Sequence, residues 1–165
     1  MKKYELLVED TITFFGVQLF RIKALISFSG IEKGDLGGYV ASEKNLSQSG
    51  NAWVSGDARV YGDAEVYGDA RVSGNARVYG NARVSGDARV SGNADYIVFK
   101  NTWSSGRYFT YTKSNKKWRV GCFYGNGDEL IKKAYKDNKK SGDFYKAYVE
   151  FVEKLEEIEK IHKEQ

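Results

Sequence analysis

Residues 50–97 read GNAWVS GDARVY GDAEVY GDARVS GNARVY GNARVS GDARVS GNADYI, a run of eight six-residue repeats. Each repeat begins with Gly, followed by Asn or Asp and then Ala, and the first seven carry Val at the fifth position. A period of six matches neither the 3.6-residue turn of an α-helix nor the simple alternation of one long strand. The repeats therefore predict short strands separated by tight corners, where Gly, Asn and Asp tolerate the required backbone conformations.

The Val and Ala of each repeat are two residues apart across a corner, so both can point inward while Arg, Tyr and Ser face solvent. This pattern resembles the hexapeptide repeat of left-handed parallel β-helix proteins. The resemblance implies triangular coils of 18 residues, and it implies association, most often into trimers. Eight repeats would make fewer than three coils, and such a short stack needs structures that cover both ends.

The flanking segments suit that purpose, and the predicted fold class is a β-rich α+β protein. Residues 1–49 are predicted to form an N-terminal β cap, a hairpin or small sheet that turns at Gly16, and then a lead-in coil. Residues 50–97 form the β-helix, and residues 98–165 form a small α+β domain. In that third part the sequence predicts three strands and two helices: Tyr96–Lys100, Arg107–Lys113, Lys117–Tyr124, Asp128 to about Lys139, and Asp143 to about His162.

The last predicted helix carries an apolar stripe, which fits packing on its own domain or self-association. The whole layout also resembles small hexapeptide-repeat proteins encoded by phages and prophages. The resemblance is carried by GDLGGYV at 34–40 and by NTWSSGRYFTYT at 101–112. That family implies no established reaction.

Composition narrows the location of the chain. Its single cysteine, Cys122, excludes an internal disulfide and fits a reducing compartment, and the strand around it predicts a small buried hydrophobic role. No signal-peptide core or stretch of about 18 apolar residues is present. The sequence therefore predicts a cytoplasmic protein without a membrane partner, in the host cytoplasm if a phage encodes it.

Enzymatic function is disfavoured by one missing residue type. Many hexapeptide-repeat proteins are acyltransferases that use a histidine near the β-helix as a general base. The only histidine here, His162, is far from the repeats in sequence and is expected at the end of the last helix. No catalytic residue, cofactor or metal site is therefore predicted, and the repeat aspartates are interpreted as corner residues rather than calcium ligands.

A ligand is most plausible on the basic segment. Residues 96–142 hold 11 Lys and Arg against 3 Asp and Glu, a net charge of +8 within a chain of net charge +4. Aromatic rings can stack on bases while Arg and Lys hold phosphates, so this mixture suits a small anionic nucleotide. Extended nucleic acid is not expected, because the β-helix is neutral and the last helix acidic. The residues predicted to contact the ligand are Trp103, Arg107, Tyr111, Lys117 and Arg119.

A second candidate surface follows from the 18-residue coil. It places Arg59 on Arg77 and Tyr61 on Tyr79 along one face of the β-helix. Stacked like charges cost free energy unless counter-charges or an anionic ligand relieve them. Subunit packing and a structural role are the alternatives for this face.

Three functions remain open after this reading. The first is a non-catalytic homo-oligomer that captures a nucleotide-type ligand; the phage resemblance suggests a counter-defence protein that sequesters a signal of bacterial immunity. The second is a structural or protein-interaction module in which the β-helix is a trimerising scaffold. The third is an acyltransferase-like enzyme.

Overall fold

A computed structural model describes residues 1–164 of the chain. Within these residues, β-strands come first along the chain and two α-helices follow. The strands are β1 (Tyr4–Phe14), β2 (Val17–Ala24), β3 (Leu36–Val40), β4 (Trp53–Val54), β5 (Arg59–Val60), β6 (Glu65–Val66), β7 (Arg71–Val72), β8 (Arg77–Val78), β9 (Arg83–Val84), β10 (Arg89–Val90), β11 (Tyr96–Lys100), β12 (Tyr108–Thr112), β13 (Lys117–Val120) and β14 (Phe123–Gly125). The helices are α1 (Gly127–Asp137) and α2 (Lys139–Lys163).

The repeats form a parallel β-solenoid. Its strands pair with strands 18 residues away, so that β5 lies on β8, β6 on β9, and β7 between β4 and β10. The repeat Val and Ala side chains from Ala52 to Val90 are buried and form one continuous core. The predicted coil of 18 residues and the inward Val and Ala are therefore confirmed, as is a repeat β-helix within a β-rich α+β chain.

The corners owe their shape to glycine. The glycines that begin the first seven repeats have φ between 61° and 72°, a left-handed conformation that side chains with a Cβ disfavour. Each coil then donates backbone hydrogen bonds to the next coil, as from Arg59 N to Ala76 O (2.9 Å) and from Tyr61 N to Val78 O (3.0 Å). Every interior coil thus satisfies its own backbone groups.

The first coil has carbonyl groups with no coil before it, and N-terminal side chains bond to them. The Lys3 ammonium donates to Ala52 O (2.7 Å) and to Gly50 O (3.4 Å), and the Tyr4 hydroxyl donates to Leu46 O (2.5 Å). Lys3 and Tyr4 are almost fully buried. They begin strand β1, which pairs antiparallel with β2, and β2 in turn pairs with the lead-in strand β3.

The last coil has the opposite deficit, because its N–H groups have no following coil to bond. The C-terminal sheet, in the strand order β11-β12-β13-β14, and the turn before it supply side-chain oxygens as acceptors. The pairs are Arg77 N to Asn93 Oδ1 (2.8 Å), Arg83 N to Thr110 Oγ1 (3.0 Å) and Arg89 N to Ser114 Oγ (2.7 Å). Both ends of the solenoid are therefore covered by polar side chains from its flanks.

The C-terminal sheet differs from the prediction at one point. The predicted strand Lys117–Tyr124 is two strands, β13 and β14, because Gly121 has φ +56° and reverses the chain there. Both helices begin earlier than predicted. Asn126 caps α1 by accepting from Glu129 N, and Asn138, where α1 ends, caps α2 by accepting from Ser141 N.

The helices cover the sheet face that points away from the solenoid, over a second core that includes Phe109, Trp118 and Val149. The division of the chain into domains at residues 49 and 97 stays a prediction, and Gln165, the end of the predicted third domain, lies outside the described residues. No helix within residues 1–164 is long and apolar enough to cross a membrane.

Replacing Lys3 by Met should lower the free energy of unfolding by about 1–3 kcal/mol, because two buried carbonyl groups lose their donor. Urea unfolding followed by circular dichroism measures the change. Lys2→Met is the matched control, since the Lys2 side chain is 61% exposed. Equal stability of the two variants would contradict the capping role of Lys3.

The same lysine predicts a pH dependence. Burial, and secondarily the Arg71 guanidinium, lower the pKa of Lys3 from 10.5 to about 8. Between these values the unfolded chain holds a proton that the folded chain has lost, so stability rises with pH. The difference in unfolding free energy between the wild type and Lys3→Met should therefore grow from pH 8 to pH 10. A constant difference over that range would argue against a depressed pKa.

Thr110→Val should cost about 1–3 kcal/mol of stability, because the Arg83 N–H would lose its acceptor at a buried site. Thr110→Ser keeps the hydroxyl and should recover most of that loss. Thermal unfolding of both variants makes the comparison, and a serine variant no better than valine would point to methyl packing instead.

Candidate functional site

The C-terminal sheet separates the predicted ligand residues onto its two faces. Alternate side chains of β12 and β13 point to opposite sides, so Phe109, Tyr111 and Trp118 face the helices. Arg119 faces the solenoid, where its Nε donates to Ser85 Oγ (3.1 Å). The five predicted contact residues therefore do not surround one ligand.

Trp103 lies in the loop between β11 and β12 and packs on α2. Its ring stacks on Phe144 at 4.5 Å between centroids and meets Tyr145 edge to face at 4.9 Å. Its indole Nε1 donates to Ser141 Oγ (3.3 Å). Asn101, which is buried, accepts hydrogen bonds from the backbone N–H of Trp103 and so holds the loop in place. This ring is occupied by protein contacts.

Tyr111 is 3% exposed, and its hydroxyl donates to the Glu156 carboxylate of α2. Burial and then Glu156 raise the pKa of Tyr111 far above its ordinary value. The phenol is thus a fixed link between sheet and helix.

Arg119 also holds the fold together. Its guanidinium lies over the rings of Tyr67 (5.3 Å) and Tyr124 (4.6 Å), which come from the solenoid and from β14. Lys117 lies opposite Thr112 in the sheet and is half-buried. Arg119 joins the two cores.

Arg107 is the predicted residue that remains available. Its guanidinium lies against the backbone at Gly121, where a Cβ atom would collide with it. Among the described residues no carboxylate lies within 4.0 Å of this guanidinium and no side-chain hydrogen bond engages it. Its N–H donors, which form a rigid fork, are therefore open to an anionic group.

Arg107 borders a cleft of about 480 Å³ between the solenoid and the sheet, here named the solenoid–sheet cleft. Its other charged groups are already neutralised in part, because Lys44 binds Asp63 (3.1 Å) and Arg83 lies 3.8 Å from Glu65. The remaining lining residues are Asn81, Tyr108, Gly121 and Cys122. The Tyr108 ring is 43% exposed, so an aromatic face lies next to the open guanidinium.

A smaller cleft of about 220 Å³ lies on the other side of Arg107, between the loop 101–107 and the helices. Ser104, Ser105 and Ser141 line it together with Lys133, whose ammonium is paired with Asp137 at 3.3 Å. We name it the helix-side cleft. It is smaller than the roughly 300–1,000 Å³ of typical ligand pockets.

The second predicted surface is assembled as expected, but it is used by the protein. Tyr61 stacks on Tyr79 at 5.3 Å, and Arg59 lies opposite Arg77 in the parallel register. The ring of Phe14, at the end of β1, lies 4.4 Å from the Arg59 guanidinium and 4.6 Å from that of Arg77. An aromatic face, rather than a ligand or the corner aspartates, relieves the stacked charges.

The sequence reading missed three members of the solenoid–sheet cleft: Arg83, Tyr108 and Cys122. Cys122 is exposed, which corrects its predicted burial, because it lies in the turn that Gly121 makes rather than within a strand. Tyr108 was detectable, since strand alternation puts it on the face opposite Phe109. His162 lies exposed near the end of α2. No group of three or more His, Cys, Asp or Glu within residues 1–164 is arranged to hold a metal ion.

Comparison with known families bears on the solenoid alone. A family described as the YdcK beta solenoid repeat matches residues 64–80, 70–84 and 76–92. This part of the chain is similar to a β-solenoid repeat. The matched residues include Arg83 but stop before the C-terminal sheet, so the similarity supports the repeat architecture and carries no function. Comparison with curated proteins gives no match.

The packing of Trp103 makes it a stability residue. Trp103→Ala should lower the free energy of unfolding by about 2–4 kcal/mol, because the ring fills the space between the loop and α2. Trp103→Phe, which keeps an aromatic ring, should lose less. Chemical unfolding measures both, and an Ala variant as stable as the wild type would show that the loop does not depend on this ring.

Proposed function

We propose that this chain is a non-catalytic binding protein that captures a small anionic ligand of nucleotide type in the solenoid–sheet cleft. The observation that carries the proposal is the Arg107 guanidinium, which lies beside an exposed aromatic ring and has no partner among the described residues. Most other charged side chains of this cleft have partners in the protein. Arg107 therefore offers the unmatched positive charge that a phosphate would neutralise.

The shape and chemistry of the cleft suit such a ligand. Its volume of about 480 Å³ lies within the range of small-molecule sites. The forked N–H groups of Arg107 match two phosphate oxygens, and Arg83 adds a second cation at the wall. The Tyr108 ring can stack on a base, while the Glu65 and Asp63 carboxylates can accept hydrogen bonds from ribose hydroxyls. Capture would be stoichiometric, with no group positioned to transfer or hydrolyse the ligand.

Several finer features belong to the same proposal. The resemblance to hexapeptide-repeat proteins supports a left-handed winding of the solenoid and a homo-oligomer, with a trimer as the form most common in that family. The resemblance to phage-encoded proteins supports counter-defence, in which the ligand is a nucleotide signal of bacterial immunity in the host cytoplasm.

The second candidate function is a protein-interaction module on a rigid solenoid scaffold. One observation favours it: large apolar side chains on α2, including Phe151 and Ile158, are exposed. The acyltransferase-like reading draws no support from the cleft, whose lining includes no histidine among the described residues.

Thermal unfolding with a panel of cyclic and ADP-ribose-type nucleotides, together with acetyl-CoA, tests the proposal. A ligand at 100 times its Kd should stabilise the folded chain by about 2.7 kcal/mol, a readily measured rise in Tm. Chromatography of the recovered ligand separates capture from catalysis, because a captured nucleotide returns unaltered. No shift with any nucleotide would reject the capture proposal.

Three substitutions locate the site. Arg107→Ala and Tyr108→Ala should each remove most of the nucleotide-induced shift, whereas Lys133→Ala, which alters only the helix-side cleft, should leave it unchanged. A shift lost in Lys133→Ala and kept in Tyr108→Ala would move the site to the helix-side cleft. The Tm of each unliganded variant serves as the folding control.

A further inference from the structure

The C-terminal layer has one uncovered edge, which consists of strand β11 and the outer flank of helix α2. Strand β11 is the first strand of its sheet and pairs only with β12. Helix α1 lies on the opposite side, where it contacts β13 and β14. Strand and helix thus leave the same side of the domain open.

The backbone of β11 is ready to pair on that side. Asn101 N donates to Arg107 O (2.8 Å) and Lys113 N donates to Asp95 O (3.0 Å), at the two ends of the ladder with β12. In an antiparallel ladder alternate residues bond to one neighbour, so Tyr96, Val98 and Lys100 direct their N–H and C=O groups away from β12.

Nothing in β11 blunts this edge. Its sequence, Tyr-Ile-Val-Phe-Lys, contains no Pro and one charge, and its first four residues are half-buried. Proteins usually protect such apolar edges with charges, bulges or proline, or cover them with another element. An unprotected edge of this composition is suited to pairing with another strand.

Helix α2 presents an apolar stripe beside the same edge. Phe144, Phe151 and Ile158 are seven residues apart, and they are 38%, 51% and 43% exposed. Seven-residue spacing is the repeat of helices that pack along one another. The Phe151 ring lies 6.3 Å from the ring of Phe99 in β11, so the middle of the stripe and the middle of the strand are at the same level.

The charges of α2 select an orientation for a partner helix. Residues 139–149 hold 3 Lys against 1 Asp, a net charge of +2, and residues 150–159 hold 1 Lys against 5 Glu, a net charge of −4. A second α2 running antiparallel would place each basic half beside an acidic half. A parallel pair would place the two acidic halves together, which is unfavourable.

We infer that this edge is a two-fold interface between two copies of the chain. One axis passes near Val98 and Phe151, continues the sheet from β11 to β11 of the second copy, and sets the two α2 helices antiparallel. Val98 then lies opposite Val98 of the second copy, and Tyr96 lies opposite Lys100. Strand and helix each require the same symmetry operation, an antiparallel self-pairing, which closes after two copies. The inference does not depend on the proposed ligand.

Light scattering of the full chain on a sizing column tests the inference. The expected mass is twice the 18.6 kDa of one chain. Phe151→Glu should raise the dissociation constant at least tenfold, and so should Val98→Pro, because proline removes the outward N–H at an edge where strands tolerate it. Phe15→Glu, at an 86% exposed aromatic outside the interface, is the matched control and should leave the mass unchanged.

A cross-link tests the axis itself and does not require a destabilising substitution at the strand. In a Cys122→Ser background, Val98→Cys should give a disulfide-linked dimer under mild oxidation, because opposed residues of a bonded pair have Cα atoms about 5.5 Å apart. Phe15→Cys in the same background should not. A monomer at every concentration, or a trimer unaffected by Phe151→Glu and Val98→Pro, would overturn the inference, and so would failure of the cross-link in a chain that is dimeric by mass.

Discussion

The backbone groups at the two ends of the solenoid set the constraint on which the rest of the structure depends. A stack of parallel coils satisfies its interior hydrogen bonds automatically, but its first coil leaves carbonyls and its last coil leaves N–H groups. The flanks answer with opposite chemistry: a lysine ammonium and a tyrosine hydroxyl donate at one end, while Asn93, Thr110 and Ser114 accept at the other. The order of the three parts along the chain follows from this polarity.

Capping also explains where the candidate site lies. The C-terminal sheet must lie across the last coil to supply its acceptors, and this brings β12 over β9 and Tyr108 near Arg83. The cleft is the space that remains beside those contacts. Arg119 fills the neighbouring space by bonding to Ser85 and lying over two tyrosines, so it stabilises the junction, whereas Arg107 lies at the rim of the cleft.

Much of the fold was predictable, because the repeat writes the same local conformation again and again. The Val period alone gives the 18-residue register and the buried core. The site was less predictable, since a composition rich in aromatic and basic residues does not reveal which rings are buried. Trp103 and Tyr111 have the same residue types as a nucleotide site, yet both are bound by α2, which is distant in sequence. The split of the third predicted strand depended on one glycine, Gly121, and it alone brought Cys122 to the surface.

The register of 18 makes the length of this protein a variable with discrete values. One additional coil would separate the two end structures by about 4.8 Å and keep every corner in line, because the new strands would repeat the old faces. A single extra hexad would instead turn the C-terminal sheet by one face of the triangle and place Thr110 over a different strand. Related chains can therefore change length without losing their caps only in whole coils, and the distance between their ends is expected to vary in steps.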